Sequence, residues 1–242
     1  MKIYGRNAVE EALKSGMTID RLVVQRDLRD AGANRLIKEA KDRGIKIFFR
    51  DRAVLDRECD DKSRHQGFII EVTDFKYCEL QDILDVAEAK GEPPFIVLLD
   101  GVEDPHNLGS VIRVAECAGV HGVVIPRHRS VTVNDTVVKV SSGAAAHLPV
   151  AKVTNINDAI AELKQKGVWV YAADMDGDDV YNTDLKGAIA FVIGGEGKGV
   201  KRLTREMCDG VVSIPMFGMV NSLNASVAAA VVIYEKVRQG RK

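Results

Sequence analysis

From Phe95 onward the chain alternates short, wholly apolar runs with longer amphipathic ones, and this alternation limits the fold more than any other feature. Phe95-Ile96-Val97-Leu98-Leu99 carries no polar residue at either parity, the pattern of a strand covered on both faces. The spacing predicts helices over 110–118, 135–146 and 156–166, the last closed by Gly167. Strands are predicted over 122–125, 150–153, 168–173, 188–193 and 211–215, with a short helix over 202–208 and a long final helix over 222–238. Strands alternating with helices specify a parallel α/β sheet with helices on both faces. Connections in such sheets seldom thread loops, so the pattern by itself predicts an unknotted, Rossmann-like sheet.

The first third is a smaller α/β unit. Asn7 is placed to cap a helix over 8–15 that stops at Gly16. A strand over 19–25, a helix over 30–43 closed by Gly44, a strand over 45–50, a short helix over 53–59 and a strand over 67–73 follow. Arg26, Arg29, Arg50 and Arg52 fall near its turns. Residues 1–74 hold 16 Lys and Arg against 14 Asp and Glu, residues 75–93 hold 2 against 5, and residues 94–242 hold 16 of each. The acidic stretch ends in Gly91-Glu92-Pro93-Pro94, which neither a helix nor a central strand can continue. The expected organisation is a domain over 1–74, a linker over 75–94 with one acidic helical turn near 83–89, and a domain over 95–242.

With 34 basic and 35 acidic residues, the net charge of −1 excludes a protein held to nucleic acid by charge alone, while leaving room for a local basic face. No apolar run reaches the length of a membrane span, and the N-terminus has no segment of the signal-peptide kind. Cys59, Cys78, Cys117 and Cys208 are scattered without a C-x-x-C, which fits a reducing cytoplasm rather than a disulfide framework or a zinc ribbon. His106 has no second histidine at ligand spacing, so no metal is expected.

Ligands in open α/β sheets bind beyond the C-terminal ends of the strands, and three segments of unusual composition leave strands there. Gly194-Gly195-Glu196-Gly197-Lys198-Gly199 is neither a dinucleotide fingerprint nor a phosphate-binding P-loop. Its glycines permit close backbone approach to a ligand, or simply a tight turn, and its glutamate suits a hydroxyl or cation better than a phosphate. Asp104-Pro105-His106-Asn107-Leu108-Gly109-Ser110-Val111-Ile112-Arg113 reads either as a loop with Ser110 as a plain helix cap, or as a site in which Asn107 and Arg113 orient an oxygen and stabilise an anion. Ser213-Ile214-Pro215-Met216 is followed, after a gap, by Asn221-Ser222-Leu223-Asn224-Ala225-Ser226, where Ser222 or Asn224 can cap the final helix. Polar groups entering so apolar a helix need partners, which points to a polar site at its start.

Together these segments resemble the three motifs of the SpoU (TrmH) branch of the SPOUT RNA 2′-O-ribose methyltransferases. The resemblance extends to Ile3-Tyr4-Gly5-Arg6-Asn7-Ala8-Val9 and Arg64-His65-Gln66-Gly67, which are similar to the small RNA-binding domain of the RlmB-type 23S ribosomal RNA guanosine methyltransferases. It implies a SPOUT methyltransferase domain with a C-terminal trefoil knot, an S-adenosylmethionine cofactor, a homodimer and a ribosomal RNA substrate. Carried over by residue, it implies a cofactor site at Gly194, Glu196, Ile214, Met216 and Leu223. The catalytic group is then Arg113, Asn107, Glu196, Ser222 and Asn224, with RNA contacts from Arg64 and His65. A transfer-RNA ribose methyltransferase and a non-catalytic RNA-binding or ribosome assembly factor of the same fold are the alternatives. The intact Arg113, Glu196 and Asn224 argue against the second of these.

Overall fold

The computed structural model describes residues 2–14, 18–59, 61, 64–73, 75–128, 130–197 and 199–240; the expected helix stop at Gly16 and Lys198 of the glycine-rich loop lie outside the described residues. The chain divides into two compact units, Met1–Lys76 and Tyr77–Lys242.

In the first unit, strands β1 (Lys2–Tyr4), β2 (Thr18–Gln25), β3 (Lys46–Arg50) and β4 (Phe68–Thr73) form a sheet of order β1-β4-β2-β3. β4 runs antiparallel to β1 and β2, while β2 and β3 are parallel. Alternate residues of a strand face opposite sides, and both sides are covered here. Leu22, Val24, Phe68 and Ile70 pack under helices α1 (Arg6–Lys14) and α2 (Ala31–Asp42), while Val23 and Ile69 meet Leu55 of α3 (Arg52–Glu58). This register brings the C-terminal ends of β1, β2 and β3 and the start of β4 to one edge of the sheet.

The second unit contains α4 (Leu80–Lys90), β5 (Phe95–Asp100), α5 (Pro105–Cys117), β6 (Gly122–Pro126), α6 (Asp135–Val140), β7 (Val150–Val153), α7 (Ile156–Gln165), β8 (Trp169–Asp179), β9 (Ile189–Gly194), α8 (Arg202–Met207), β10 (Gly210–Ser213) and α9 (Ala225–Gly240). The six strands pair in the order β10-β8-β9-β5-β6-β7, every pair parallel. β5, β6 and β9 are buried at every position, as their unbroken apolar runs require. The chain moves outward from β5 to β7, then returns through β8 to place β9 beside β5. The C-terminal ends of β5 and β9 therefore open side by side, and their loops share one edge.

Several sequence expectations are corrected. The segment expected as a linker is largely the three-turn helix α4, with a capping box between Glu79 and Asp82 and Gly91 in the left-handed region at its end. Its Leu80, Ile83 and Leu84 join the core of the second unit with Ile96, Leu98 and Ile160, and Cys78 N–H donates to Val150 O (3.1 Å) beside β7. The acidic face that suggested a linker is the solvated side of this packed helix. The helix expected over 135–146 stops at Val140; Gly143, in the left-handed region, separates it from a 3₁₀ turn, Ala144–Ala146. β8 runs six residues beyond the predicted strand. Its pairing with β10 jumps from Ala172 to Asp178, and the intervening residues form a bulge.

Candidate active site

Helix α5 starts five residues earlier than its sequence suggested. Asp104, not Ser110, is the N-cap, its carboxylate accepting His106 N–H (2.9 Å), and Pro105 occupies the first helical position, where its missing N–H carries no penalty. Asn107 thereby falls in the first helical turn and is buried, 4% exposed, beyond the end of β5.

The loop after β9 lies directly on the turn after β5. A Cβ on Gly194 would stand 2.0 Å from the carbonyl carbon of Gly199, and one on Gly195 would stand 2.2 Å from Gly101 O. Glycine at these two positions is thus required by backbone contact within the chain. The loop closes on itself through Gly199 N–H to Gly195 O (3.2 Å), leaving Glu196 exposed at its tip.

Glu196 gathers the site. Its Oε1 accepts Nδ2–H from Asn107 and, at 3.1 Å, Nδ2–H from Asn224. Asn224 caps α9, its Oδ1 accepting Ser226 N–H (2.9 Å) and Ser226 Oγ–H (2.7 Å). Three segments separated by up to 117 positions in the chain therefore meet in one chain of hydrogen bonds, Asn107–Glu196–Asn224–Ser226. Oε2 of Glu196 accepts no hydrogen bond from the described residues.

Among the described residues, the other predicted side chains make no hydrogen bond to this cluster. Arg113 lies on α5 six residues after Asn107, is exposed, and forms no ion pair among the described residues. Ser222 is exposed ahead of α9, which begins at Ala225 rather than at 222. Of the expected cofactor residues, Gly194 is buried at the end of β9 and Ile214 is half-buried, while Met216 and Leu223 are 36% and 40% exposed. Phe217, Met219 and Val220 between them are exposed as well. An apolar, open segment with neither helix nor strand thus adjoins the polar cluster.

In the first unit, Arg64 is exposed but His65 is buried, 1% exposed. His65 Nδ1 accepts Gly67 N–H (2.9 Å) and Nε2 lies 2.9 Å from Asp56 Oδ1. It builds the turn that presents Arg64 and has no surface with which to meet RNA, which corrects its expected role. The signal missed in the second unit is Asp100, a lone carboxylate closing an otherwise apolar strand and buried there. Among the described residues no group of three or more His, Cys, Asp or Glu side chains is arranged to hold a metal ion, and no helix is long and apolar enough to cross a membrane.

A six-stranded parallel sheet with an Asn–Glu–Asn cluster at the ends of β5 and β9, preceded by a separate α/β unit, defines a two-unit α/β protein of the SPOUT methyltransferase class. Residues 94–234 match the SpoU rRNA methylase family, and residues 2–78 match the RNA 2′-O ribose methyltransferase substrate-binding domain. The chain belongs to the SpoU rRNA methylase family. It is 43% identical over 238 residues to YacO of Bacillus subtilis, a protein classed in the TrmH family of tRNA/rRNA methyltransferases, covering 98% of this chain and 95% of that one. The SpoU methyltransferase AviRb of Streptomyces viridochromogenes, crystallised in complex with the cofactor AdoMet, superposes with a TM-score of 0.63 at 26% identity, covering 99% and 90% of the two chains. The TrmH/SpoU tRNA-modifying enzyme of A. aeolicus superposes with a TM-score of 0.56 at 27% identity, covering 66% of this chain and 81% of its own.

Proposed function

We propose that this protein transfers a methyl group from S-adenosylmethionine to a ribose 2′-hydroxyl of RNA, with a guanosine of large-subunit ribosomal RNA as its target. The observation that carries this reading is the convergence of Asn107, Glu196 and Asn224 at one sheet edge, beside an open apolar segment. The chemistry of these groups fits the donor. Met216 and Leu223 offer apolar surface to an adenine, Gly194 and Ile214 offer backbone groups, and the Glu196 carboxylate suits a hydroxyl or a cationic sulfonium. When bound, the donor supplies an electrophilic methyl group.

The chain's own residues orient and stabilise. Asn107 and Asn224 hold Oε1 of Glu196, so Oε2, which accepts from none of the described residues, presents an acceptor to a ligand hydroxyl. Arg113 carries an electrostatic role, because a guanidinium stays protonated and makes a poor general base. It stabilises the alkoxide that develops as the 2′-hydroxyl gives its proton to solvent water, or holds the adjacent phosphate. Ser222, exposed beside Asn224, orients the attacking oxygen.

Substrate recognition falls to the first unit. Four arginine-bearing turns, 5–7, 25–29, 50–52 and 64–67, share one edge of its sheet, and Arg26 N–H donates to Arg50 O (2.9 Å) across two of them. Arg50 lies over the Phe48 ring (5.6 Å), while Arg26, Arg29, Arg52 and Arg64 are exposed. Exposed guanidiniums suit phosphate and splayed RNA bases. The match to the SpoU rRNA methylase family supports ribosomal RNA, and the tRNA-modifying enzyme of A. aeolicus matches only 66% of this chain. The trefoil knot belongs to the same reading, supported by the return of β9 between β8 and β5 and the packing of α9 on α5.

A homodimer completes the proposal. Val227, Val231 and Tyr234 fall at helical spacing on α9, and Val227 and Tyr234 are exposed. The deciding experiment maps 2′-O-methylation in ribosomal and transfer RNA from cells with and without the protein, then repeats it with purified protein and S-adenosylmethionine. Loss of one ribosomal guanosine 2′-O-methyl group is expected. Loss of a transfer-RNA mark instead would assign the alternative substrate, and no change in either would overturn the enzymatic reading.

A further inference from the structure

Asp100 takes no part in the chemistry above, yet its carboxylate is buried at the C-terminal end of β5, on the edge that carries the site. A charge there is tolerated when it is fully partnered. Oδ2 accepts Lys201 N–H at 3.1 Å, and Oδ1 pairs with the Lys201 ammonium, whose side chain is half exposed. The main-chain oxygen of Asp100 accepts Gly195 N–H at 3.1 Å.

Gly195 and Lys201 bracket the stretch that carries Glu196. One residue of the neighbouring strand thus pins this loop twice, by its backbone where the loop leaves β9 and by its side chain where α8 begins. A carboxylate accepts both the Lys201 N–H and its ammonium, whereas an asparagine would turn an N–H group toward one of them. Alongside the bonds of Glu196 to Asn107 and Asn224, this anchorage places the loop, since its own closure, Gly199 to Gly195, fixes its shape without fixing its place on the sheet.

We infer that Asp100, acting through Lys201, is a positioning residue that fixes the Glu196 loop for the methyl donor. The inference rests on the donor reading given under the proposed function. It is tested in the full-length protein with Lys201→Met, Lys201→Arg and Asp100→Asn, by three measurements. These are hydrogen exchange at the Gly195 and Lys201 amides without ligand, calorimetry with S-adenosylmethionine, and affinity for substrate RNA. A charge-assisted hydrogen bond contributes enough that its loss is worth about tenfold.

Lys201→Met and Asp100→Asn are expected to exchange about tenfold faster at these two amides and to bind S-adenosylmethionine about tenfold more weakly, while RNA affinity stays within about twofold. Lys201→Arg is expected to retain near wild-type values for all three. Exchange rates unchanged in Lys201→Met would overturn the inference, and Lys201→Met decides the matter should Asp100→Asn fail to fold. Faster exchange with unchanged donor affinity would overturn it too, reducing the pair to a stabilising contact. Wild-type protein that bound no S-adenosylmethionine would instead overturn the donor reading and the role in donor binding with it, a result separable from failure of the anchorage because exchange is measured without donor.

Discussion

Asn224 occupies two roles at once, as N-cap of α9 through Oδ1 and as a partner of Glu196 through Nδ2. Asn224→Ser keeps a capping oxygen and removes the donor to Glu196. The expected outcome is a thermal midpoint near that of the wild type with turnover reduced about 100-fold, checked by calorimetry and methyl incorporation. Arg113→Ala is expected to lower turnover by a similar factor while leaving donor affinity unchanged, the outcome that the proposed transition-state role requires. Arg64 and His65 are adjacent in sequence but separate in function. Arg64→Ala should weaken RNA binding and flatten its salt dependence without changing stability, whereas His65→Ala should destabilise the first unit by about 1–3 kcal/mol in denaturant unfolding. His121 adds a pH dependence. Burial lowers its pKa, its Nδ1 accepts Phe95 N–H (3.0 Å), and its Nε2 donates to Glu92 (3.0 Å). A depressed native pKa means stability is fully present above the ordinary histidine range, about 6.5, and is lost as pH falls below it. The thermal midpoint should therefore drop as pH falls below about 6.5, and His121→Asn should flatten that slope in a pH series of melting curves.

At the scale of elements, the decisive case is α4. An acidic stretch ending in two prolines looks like a hinge, and the prolines do end the helix's reach, but Leu80, Ile83, Leu84 and Ala87 recur at helical spacing and are buried against the second unit. Burying three such large side chains contributes about 1.5–3 kcal/mol each, a sum comparable with the whole stability of a domain. A fragment beginning at residue 77 is expected to fold, whereas one beginning at residue 95 should aggregate or melt well below it, as circular dichroism will show. α9 carries a second element-level expectation. Its exposed Val227 and Tyr234 should be covered in a dimer, so Tyr234→Glu should shift the mass seen by light scattering from dimer to monomer.

For the whole molecule, the proposed division of labour predicts that the fragment 77–242 keeps S-adenosylmethionine affinity within about threefold, because every residue of the Asn107–Glu196–Asn224 cluster lies within it. The same fragment should lose most of its affinity for substrate RNA, measured by filter binding across a salt series, since the arginine-bearing edge lies in the first unit. Equal RNA affinity in fragment and full chain would move recognition into the second unit.

Apolar periodicity determined the parallel α/β character of the second unit, because a strand covered on both faces must be apolar at both parities, and β5, β6 and β9 are. Composition at the strand ends marked the three segments that carry Asn107, Glu196 and Asn224, and the polar start of so apolar a final helix called for partners. Which partners they take was decided only by the tertiary structure. The insertion of β9 beside β5 joins loops some 90 residues apart, and no local pattern encodes strand order. The same holds for Asp100 and Lys201, and for His65, whose burial follows from the packing of Asp56 and Gly67 around it. A side chain's neighbours in sequence set its local conformation, but its burial and its hydrogen-bond partners are set by which strands the fold lays side by side.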